Sequence, residues 1–411
     1  MAEKEDMNIV IVGHVDHGKS TLIGRLFYDT DSLPEEKKAE IENIAKEKNQ
    51  DIEFAFVMDY LEEERDQGVT IDTTQTYFQT KKRNYTIIDA PGHKEFLKNM
   101  ITGASQAEAA ILIVDADEGV SEQTRRHSYI LRFLGIQQII VVLNKMDLVD
   151  YKESRYEEVK SELNTFFKKI AVKPSFYTPI SAKKGDNVAE KSENMDWYDG
   201  KTILQALDTF SKLELEEKVL RLPVQDVYKI DNKRITVGRV ESGTIRQGQE
   251  IILQPSETET KVKSIEVFEE ERTEASAGES IGITTEDPIF IDRGQVICPK
   301  EQPATPTNKF IAEIFWMSKN PIKEGDTITL KCATQEVKAT IANIKRKINS
   351  STLEMIEENT DTIEETEAAE TIIETKEPIV VELFQDIQEL GRFVLTRDAV
   401  TVAGGIIRKK S

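Results

Sequence analysis

The sequence predicts an α/β domain with a parallel sheet, followed by two all-β barrel domains, at residues 1–217, 218–304 and 305–411. Two changes of pattern indicate this order. Apolar runs alternate with amphipathic helical stretches in the first part, and strand-length runs punctuated by glycine replace them from about Leu222. A proline-rich joint at residues 303–306 then separates the second part from the third.

The first part alternates predicted strands with predicted helices. The strands cover residues 8–12, 85–89, 111–115, 139–144 and 176–180. Short runs that are apolar throughout are typical of parallel strands buried on both faces. Helical periodicity at 124–134 and 155–170 predicts helices that cover the sheet. A charged helical insertion is predicted at residues 29–66.

The second and third parts have the pattern of antiparallel β domains. Runs at 221–230, 234–241, 250–253 and 261–268 are separated by turn residues, a spacing typical of a small barrel. An acidic run at 354–377 is expected to form a loop followed by a strand.

Composition excludes several classes of protein. The 411 residues carry 75 acidic and 54 basic side chains, a formal net charge of −21. Such a surface disfavours capture of DNA or of an anionic membrane, because both repel it. The longest apolar run, 109–114, is far below the roughly 18 residues of a membrane helix. With no signal-peptide pattern and only two cysteines, Cys298 and Cys332, a cytoplasmic protein with reduced thiols is expected.

One segment carries a phosphate-binding pattern. Residues 13–20 spell GHVDHGKS between a predicted strand and a predicted helix. Such a loop points backbone N–H groups at phosphate oxygens, and its glycines permit the tight bend. Lys19 is expected to bridge the β- and γ-phosphates, and the Ser20 hydroxyl to bind Mg²⁺. The nucleotide-binding set is therefore Gly13, His14, Val15, Asp16, His17, Gly18, Lys19, Ser20 and Thr21.

A second Gly-Lys-Thr occurs at residues 200–202, but Met195 stands where the pattern requires its first glycine. This segment is predicted not to bind phosphate. His14 and His17 are expected to shape the phosphate loop, and His127 to be a surface or packing residue.

Two further segments follow predicted strands and extend the site. Asp89 begins DAPGH, where its carboxylate can accept from Mg²⁺-bound water and the Gly92 N–H can reach a γ-phosphate. Asn144, Lys145 and Asp147 belong to NKMD at 144–147. Asp147 can accept from the N1–H and the amine of guanine, which adenine does not offer there, so the base is predicted to be guanine.

The remaining guanine contacts and the hydrolytic residues are predicted as follows. Asn144 would brace the loop, Lys145 would lie against the base, and backbone N–H groups would face the base oxygen from Ser181, Ala182 and Lys183. Thr70 is expected to bind Mg²⁺ only when a γ-phosphate is present, which would order the insertion. His93 is expected to position the attacking water, so that Lys19, Thr70 and His93 are the predicted catalytic residues.

Together the motifs GHVDHGKS, RDQGVTID, DAPGH, NKMD and SAK resemble the translation-factor class of GTPases over essentially the whole chain. The closer resemblance within that class is to the GTPase subunit of the two-subunit sulfate adenylyltransferase. The segments that carry it are Gln67 and residues 124–128, 143–151, 181–188, 192–200, 286–294 and 315–317. It implies GTP, GDP and Mg²⁺ as ligands.

The resemblance also implies a catalytic partner subunit of the ATP-pyrophosphatase type. GTP hydrolysis would then drive adenylyl transfer from ATP to sulfate, and tRNA would be an unlikely partner. Two alternatives stay open on the same residues. One is an elongation factor that delivers aminoacyl-tRNA, which GHVDHGKS and the run after DAPGH resemble, and the other is a regulatory GTPase of the same class.

Overall fold

The computed structural model describes residues 4–48, 54, 75–89, 107–211, 215, 217–230, 233–267, 270–352, 355–358 and 360–410. They form two compact units, Met1–Lys212 with Ser350–Thr352 and Leu213–Asn349 with Leu353–Ser411. Much of the predicted insertion at 29–66 lies outside the described residues.

The first unit is built on a sheet with the strand order β2-β3-β1-β4-β5-β6. Its strands are β1 (Glu5–Gly13), β2 (Gln75–Gln79), β3 (Arg83–Asp89), β4 (Ala109–Asp115), β5 (Gln138–Asn144) and β6 (Phe176–Pro179). All neighbours run parallel except β2 and β3. Every residue of β4 is buried, as the apolar run at 109–114 predicts for a central parallel strand.

Helices accompany this sheet along the chain. They are α1 (Lys19–Asp29), α2 (Glu35–Lys48), α3 (Glu122–Phe133), α4 (Glu153–Lys169) and α5 (Ile203–Leu207). α1 contributes Leu22 and Leu26 to the core of the unit. Within the described ranges, none of the helices combines the length and the apolar character that a membrane crossing requires.

The second unit contains two closed β barrels. The first is made of β7 (Leu222–Ile230), β8 (Lys233–Arg239), β9 (Thr244–Arg246), β10 (Glu250–Gln254), β11 (Thr258–Val267), β12 (Glu270–Arg272), β13 (Glu274–Ser276), β14 (Ser280–Thr285) and β15 (Val296–Pro299). The order β10-β15-β7-β8-β14-β11 closes because β11 also pairs with β10.

The second barrel closes in the same way. It comprises β16 (Pro306–Trp316), β17 (Ile322–Lys323), β18 (Thr327–Cys332), β19 (Gln335–Asn349), β20 (Met355–Glu358), β21 (Thr362–Ile363), β22 (Glu367–Val380), helix α6 (Gln388–Gly391), β23 (Arg392–Arg397) and β24 (Val400–Lys410). The order β18-β23-β24-β16-β22-β19 is closed by pairing of β19 with β18. The predicted fold class is confirmed.

Strand alternation accommodates the acidic run. In β22, Ile373 lies in the core, whereas the neighbouring Glu374 pairs with Lys309 at 2.7 Å. Charge on one face is therefore compatible with a barrel strand. Cys298 and Cys332 are both free and buried.

Candidate nucleotide-binding site

The parallel sheet brings the predicted phosphate and base segments to one edge. Gly13 ends β1 and Asn144 ends β5, and Ser181 follows β6 after one intervening residue, Ile180. Because the carboxyl ends of parallel strands share an edge, segments far apart in sequence meet there.

The phosphate loop is held against its neighbours so closely that two positions require glycine. A Cβ on Gly13 would lie 2.4 Å from Ile113 Cγ2 and 2.5 Å from its carbonyl oxygen. Gly18 has a φ of +92° and would place a Cβ 2.4 Å from Asn144 Nδ2. Gly18 is also the N-cap of α1 and provides no side-chain cap. No side chain of the N-cap therefore competes with an anion at the first turn of α1.

The side chain of Lys19 folds back over the phosphate loop. Its Nζ donates to the Gly13 carbonyl at 2.8 Å and to the His14 carbonyl at 2.9 Å. Ser20 is exposed at the start of α1, and Asp16 is exposed at the bend with a φ of +67°. A positive charge thus lies next to the backbone that is predicted to surround phosphate.

Asn144 joins the phosphate loop to the base segment. Its side chain is buried, its Nδ2 donates to the His17 carbonyl at 2.8 Å, and its Oδ1 accepts from the Ala182 N–H at 2.9 Å. This is the bracing role predicted for Asn144. The Ala182 N–H is directed to Asn144, where the sequence predicted that it would face a base.

Lys145 has a partner that the sequence analysis did not name. Its Nζ lies 2.8 Å from Asp115 Oδ2 at the end of β4. Burial acts to raise the pKa of Asp115, but the hydrogen bonds from Lys145 and from the Asp117 N–H outweigh it and hold that pKa below its usual value. Asp147 is half-buried in the 3₁₀ helix Met146–Val149, which follows directly.

A second layer of residues supports the base segment. Asp186 accepts from the Tyr151 hydroxyl at 3.0 Å and from the Ser192 hydroxyl at 2.6 Å. Trp197 Nε1 donates to the Tyr151 carbonyl at 3.0 Å. In the sequence these segments were interpreted only as features of a family, because Tyr151 lies far along the chain from Asp186 and Trp197 and no spacing pattern links them.

His127 was predicted to be either a surface or a packing residue, and the structure shows a packing residue. It is buried in α3, and burial, together with the positive charge of Lys19, lowers its pKa to about 3. The ring is therefore neutral near pH 7.

Of the predicted catalytic residues, Lys19 is described above, whereas Thr70 and His93 fall outside the part of the chain that the structure describes. Gly92 lies there too, and Asp89 is described only as the last residue of β3. Their assigned roles stay predictions.

A loop bent at glycine precedes a helix, and Asn144, the first residue of NKMD, connects that loop to the edge of a parallel sheet. These features define a P-loop GTPase. Comparison with known families agrees in all three domains. The model of the elongation factor Tu GTP binding domain matches residues 4–213, elongation factor Tu domain 2 matches 233–298, and the GTP-eEF1A C-terminal domain-like model matches 309–408.

Full-length relatives give the family. Elongation factor 1-alpha of Methanopyrus kandleri is 44% identical over 99% of this chain and 98% of its own length. That of Pyrococcus furiosus is 42% identical over 98% of both. A crystal structure of sup35 complexed with GDP is 27% identical, with a TM-score of 0.47, and covers 100% of this chain and 95% of that chain. The chain belongs to the elongation factor 1-alpha family.

These relatives overturn the closer of the two resemblances. The assignment to sulfate adenylyltransferase is wrong, and so are the ATP-pyrophosphatase-type partner and the dismissal of tRNA. The physical reason lies in the segments used. Residues 143–151, 181–188 and 192–200 form the network around Asp186 and Tyr151 that supports the base segment. Contacts within the domain of this kind carry no information about the partner.

Proposed function

We propose that this protein is a GTP-hydrolysing elongation factor that delivers aminoacyl-tRNA to the ribosome. The observation that carries the proposal is similarity at 44% identity to an elongation factor 1-alpha over 99% of the chain, which includes both barrels. A GTPase domain alone would serve many partners, whereas the combination with both barrels restricts the choice. We propose that the GTPase domain covers residues 1–217 and that the two barrels cover 218–304 and 305–411.

GTP and GDP are the proposed nucleotides. The close approach of Gly13 to Ile113 and the uncapped start of α1 suit a phosphate chain. Mg²⁺ would be held by Ser20, Thr70 and Asp89, and when bound it neutralises charge on the phosphates. Asp147 would select guanine, with Lys145 and residues 181–183 beside it.

Hydrolysis is assigned to His93 and Thr70 together with residues of the phosphate loop. His93 would orient the attacking water. Val15 and Val69 would be apolar neighbours that hold the His93 side chain away from this position until activation. Thr70 would act only in the GTP state. Lys19 would stabilise charge that develops on the transferred phosphoryl group.

A groove in the first barrel fits the end of a nucleic acid. It measures about 870 Å³ and is lined by four basic side chains, Lys233, Arg234, Lys263 and Arg272. Phe290 does not line the groove, but its ring, 80% exposed, lies 4.9 Å from the guanidinium of Arg234, which does. Basic groups bind phosphates, and an exposed ring beside them can stack on a base.

Acidic side chains share this groove, namely Glu266, Glu286 and Asp287. They suit a ligand that combines phosphates with donor groups. An aminoacyl-tRNA end is such a ligand, because its amino group is a cation and its bases donate hydrogen bonds.

Protection of the aminoacyl ester tests the proposal. With GTP and Mg²⁺ present, the protein should slow spontaneous hydrolysis of aminoacyl-tRNA, and replacing GTP by GDP should abolish most of that protection. Deacylated tRNA serves as the competitor that should not displace the charged form. Ribosomes with charged tRNA should then stimulate GTP hydrolysis.

GTP binding without protection in either nucleotide state, and without ribosomal stimulation, would contradict delivery of tRNA. That result would favour a regulatory GTPase of the same class, because it retains only the functions of the first unit.

A further inference from the structure

One side chain of the phosphate loop is directed into the first unit. The His17 ring is 1% exposed. Its Nε2 lies 2.8 Å from Glu118 Oε2, and its Nδ1 lies 3.3 Å from both the Ile113 carbonyl oxygen and the Asp115 nitrogen. Glu118 itself is half exposed, so the ring connects a buried loop with a surface carboxylate.

The ring occupies the place where strand pairing stops. The register between β1 and β4 ends with Gly13 opposite Ile113. Asp115 lies two residues further along β4, where β1 has already turned into the phosphate loop. Its N–H therefore donates to His17 Nδ1. The imidazole satisfies a backbone donor that would otherwise be buried without an acceptor.

The contact with Glu118 places a hydrogen on Nε2. A carboxylate accepts hydrogen bonds only, so Nε2 must carry the hydrogen that faces Glu118. The Asp115 N–H is directed at Nδ1, which accepts from it. The opposite neutral tautomer would direct the Nε2 lone pair at a carboxylate and would leave the Asp115 N–H without its acceptor.

A tight turn fixes the position of Glu118. Asp115 Oδ1 accepts from the Asp117 N–H at 2.8 Å, and the Gly119 N–H donates to the Asp115 carbonyl at 2.9 Å. Asp115 also pairs with Lys145 of the base segment. Glu118 is thus presented to His17 from a turn that is anchored at the nucleotide-binding edge.

We propose that Glu118 is a positioning residue for nucleotide binding, acting through the His17 ring to hold the phosphate loop in its bent form. The inference rests on nucleotide binding by this loop, but not on tRNA delivery. Without Glu118, a buried Nε2–H loses its acceptor, and the loop is free to move away from β4 in the nucleotide-free protein. Binding must then restore the bend, which weakens affinity.

Three substitutions test this role by GDP affinity and dissociation, measured with a fluorescent GDP analogue. Glu118→Ala should raise the Kd about tenfold, mainly through faster dissociation. Glu118→Gln keeps an acceptor oxygen and should bind within about threefold of the unchanged protein. Asp117→Ala removes a neighbouring exposed carboxylate from the same turn and should leave the Kd unchanged.

Long-range ¹H–¹⁵N spectra of the His17 ring give a readout that does not depend on affinity. The chain has only four histidines, which makes assignment practicable. The expected state is a ring that carries a hydrogen on Nε2, and Glu118→Ala should alter its signals while Asp117→Ala should not. A ring protonated only at Nδ1, or equal effects of the two alanine substitutions on Kd, would overturn the proposal. Failure of the unchanged protein to bind GDP would instead contradict the proposed function.

Discussion

Two segments of the first unit contain nearly the same three residues before a helix, and only one is suited to phosphate. Gly18-Lys19-Ser20 begins α1, and Gly200-Lys201-Thr202 precedes α5. In the first, the N-cap is a glycine, so no N-cap side chain accepts from the first turn of the helix. Composition at the helix start is therefore a poor guide without the conformation of the loop.

The second segment satisfies its own helix start. The Thr202 hydroxyl accepts from the Gln205 N–H at 3.3 Å, and the Thr202 N–H donates to Gln205 Oε1 at 3.2 Å. The Tyr198 hydroxyl donates to the Lys201 carbonyl at 2.9 Å. A capping box leaves few donors for an anion. The comparison shows that a phosphate site depends on donors that the fold leaves unused.

The largest expected effect is on GTP affinity and concerns Asp147. This residue belongs to the NKMD segment, which Asn144 connects to the loop before α1. Asp147→Asn should reverse the preference between GTP and xanthosine triphosphate, with GTP affinity falling roughly 10⁴-fold, because an amide would face the donors of guanine. Competition binding of the two nucleotides measures this. Asp150→Asn, at an exposed carboxylate three residues later, is the control. Unchanged GTP preference in Asp147→Asn would refute the assignment.

The lysines of the two segments allow a matched test. Lys19→Ala should weaken GTP binding by roughly 10²-fold, since it removes charge-assisted hydrogen bonds to phosphate. Lys201→Ala removes an exposed lysine and should change nothing. Isothermal titration calorimetry with GTP and Mg²⁺ compares them. Equal losses of affinity would mean that the second segment also contributes to the site.

Substitution of Gly18 should affect nucleotide affinity, whereas substitution of Gly200 should affect stability. Gly18→Ala forces a side chain into a φ of +92° and against Asn144, so nucleotide affinity should fall about tenfold. Gly200→Ala would place a Cβ 2.3 Å from the Tyr198 ring, which should lower the free energy of unfolding by about 1–3 kcal/mol. Denaturant titration beside nucleotide binding separates the two. A loss of affinity in Gly200→Ala beyond its loss of folded protein would contradict this distinction.

The smallest effect is expected at the hydroxyl residues. Thr202→Ala removes the cap of α5 and should cost about 1 kcal/mol of stability while GTP affinity stays the same. Ser20→Ala should do the reverse, with a melting temperature close to the original and a weaker dependence of GTP binding on Mg²⁺. Thermal melts and Mg²⁺ titrations check both. Matching behaviour of the two variants would remove the contrast between the segments.

Much of the fold follows from local pattern. Apolar runs without alternation predicted the parallel strands, because strands buried on both faces have no polar side. The bracing role of Asn144 was also predicted from NKMD alone. The pairing of Lys145 with Asp115 and the contact between His17 and Glu118 were not predicted, because each joins residues from strands that are distant in sequence.

The error over the partner has a similar cause. Residues around Asp186 and Tyr151 were given weight as family marks, yet their hydrogen bonds show that they support the base segment. A short segment carries the same letters whether it contacts a partner or stabilises its own domain. Only its neighbours in space distinguish the two roles.

The sequence by itself determined the three-part order, the phosphate loop and the guanine segment, because these depend on residue types at fixed spacing along the chain. Tertiary structure decided whether a helix start is capped by a side chain, as the contrast between Gly18 and Thr202 shows. It also placed Glu118 beside His17. Hydrogen bonds between distant strands depend on register and on packing, and neither is encoded in any single stretch of residues.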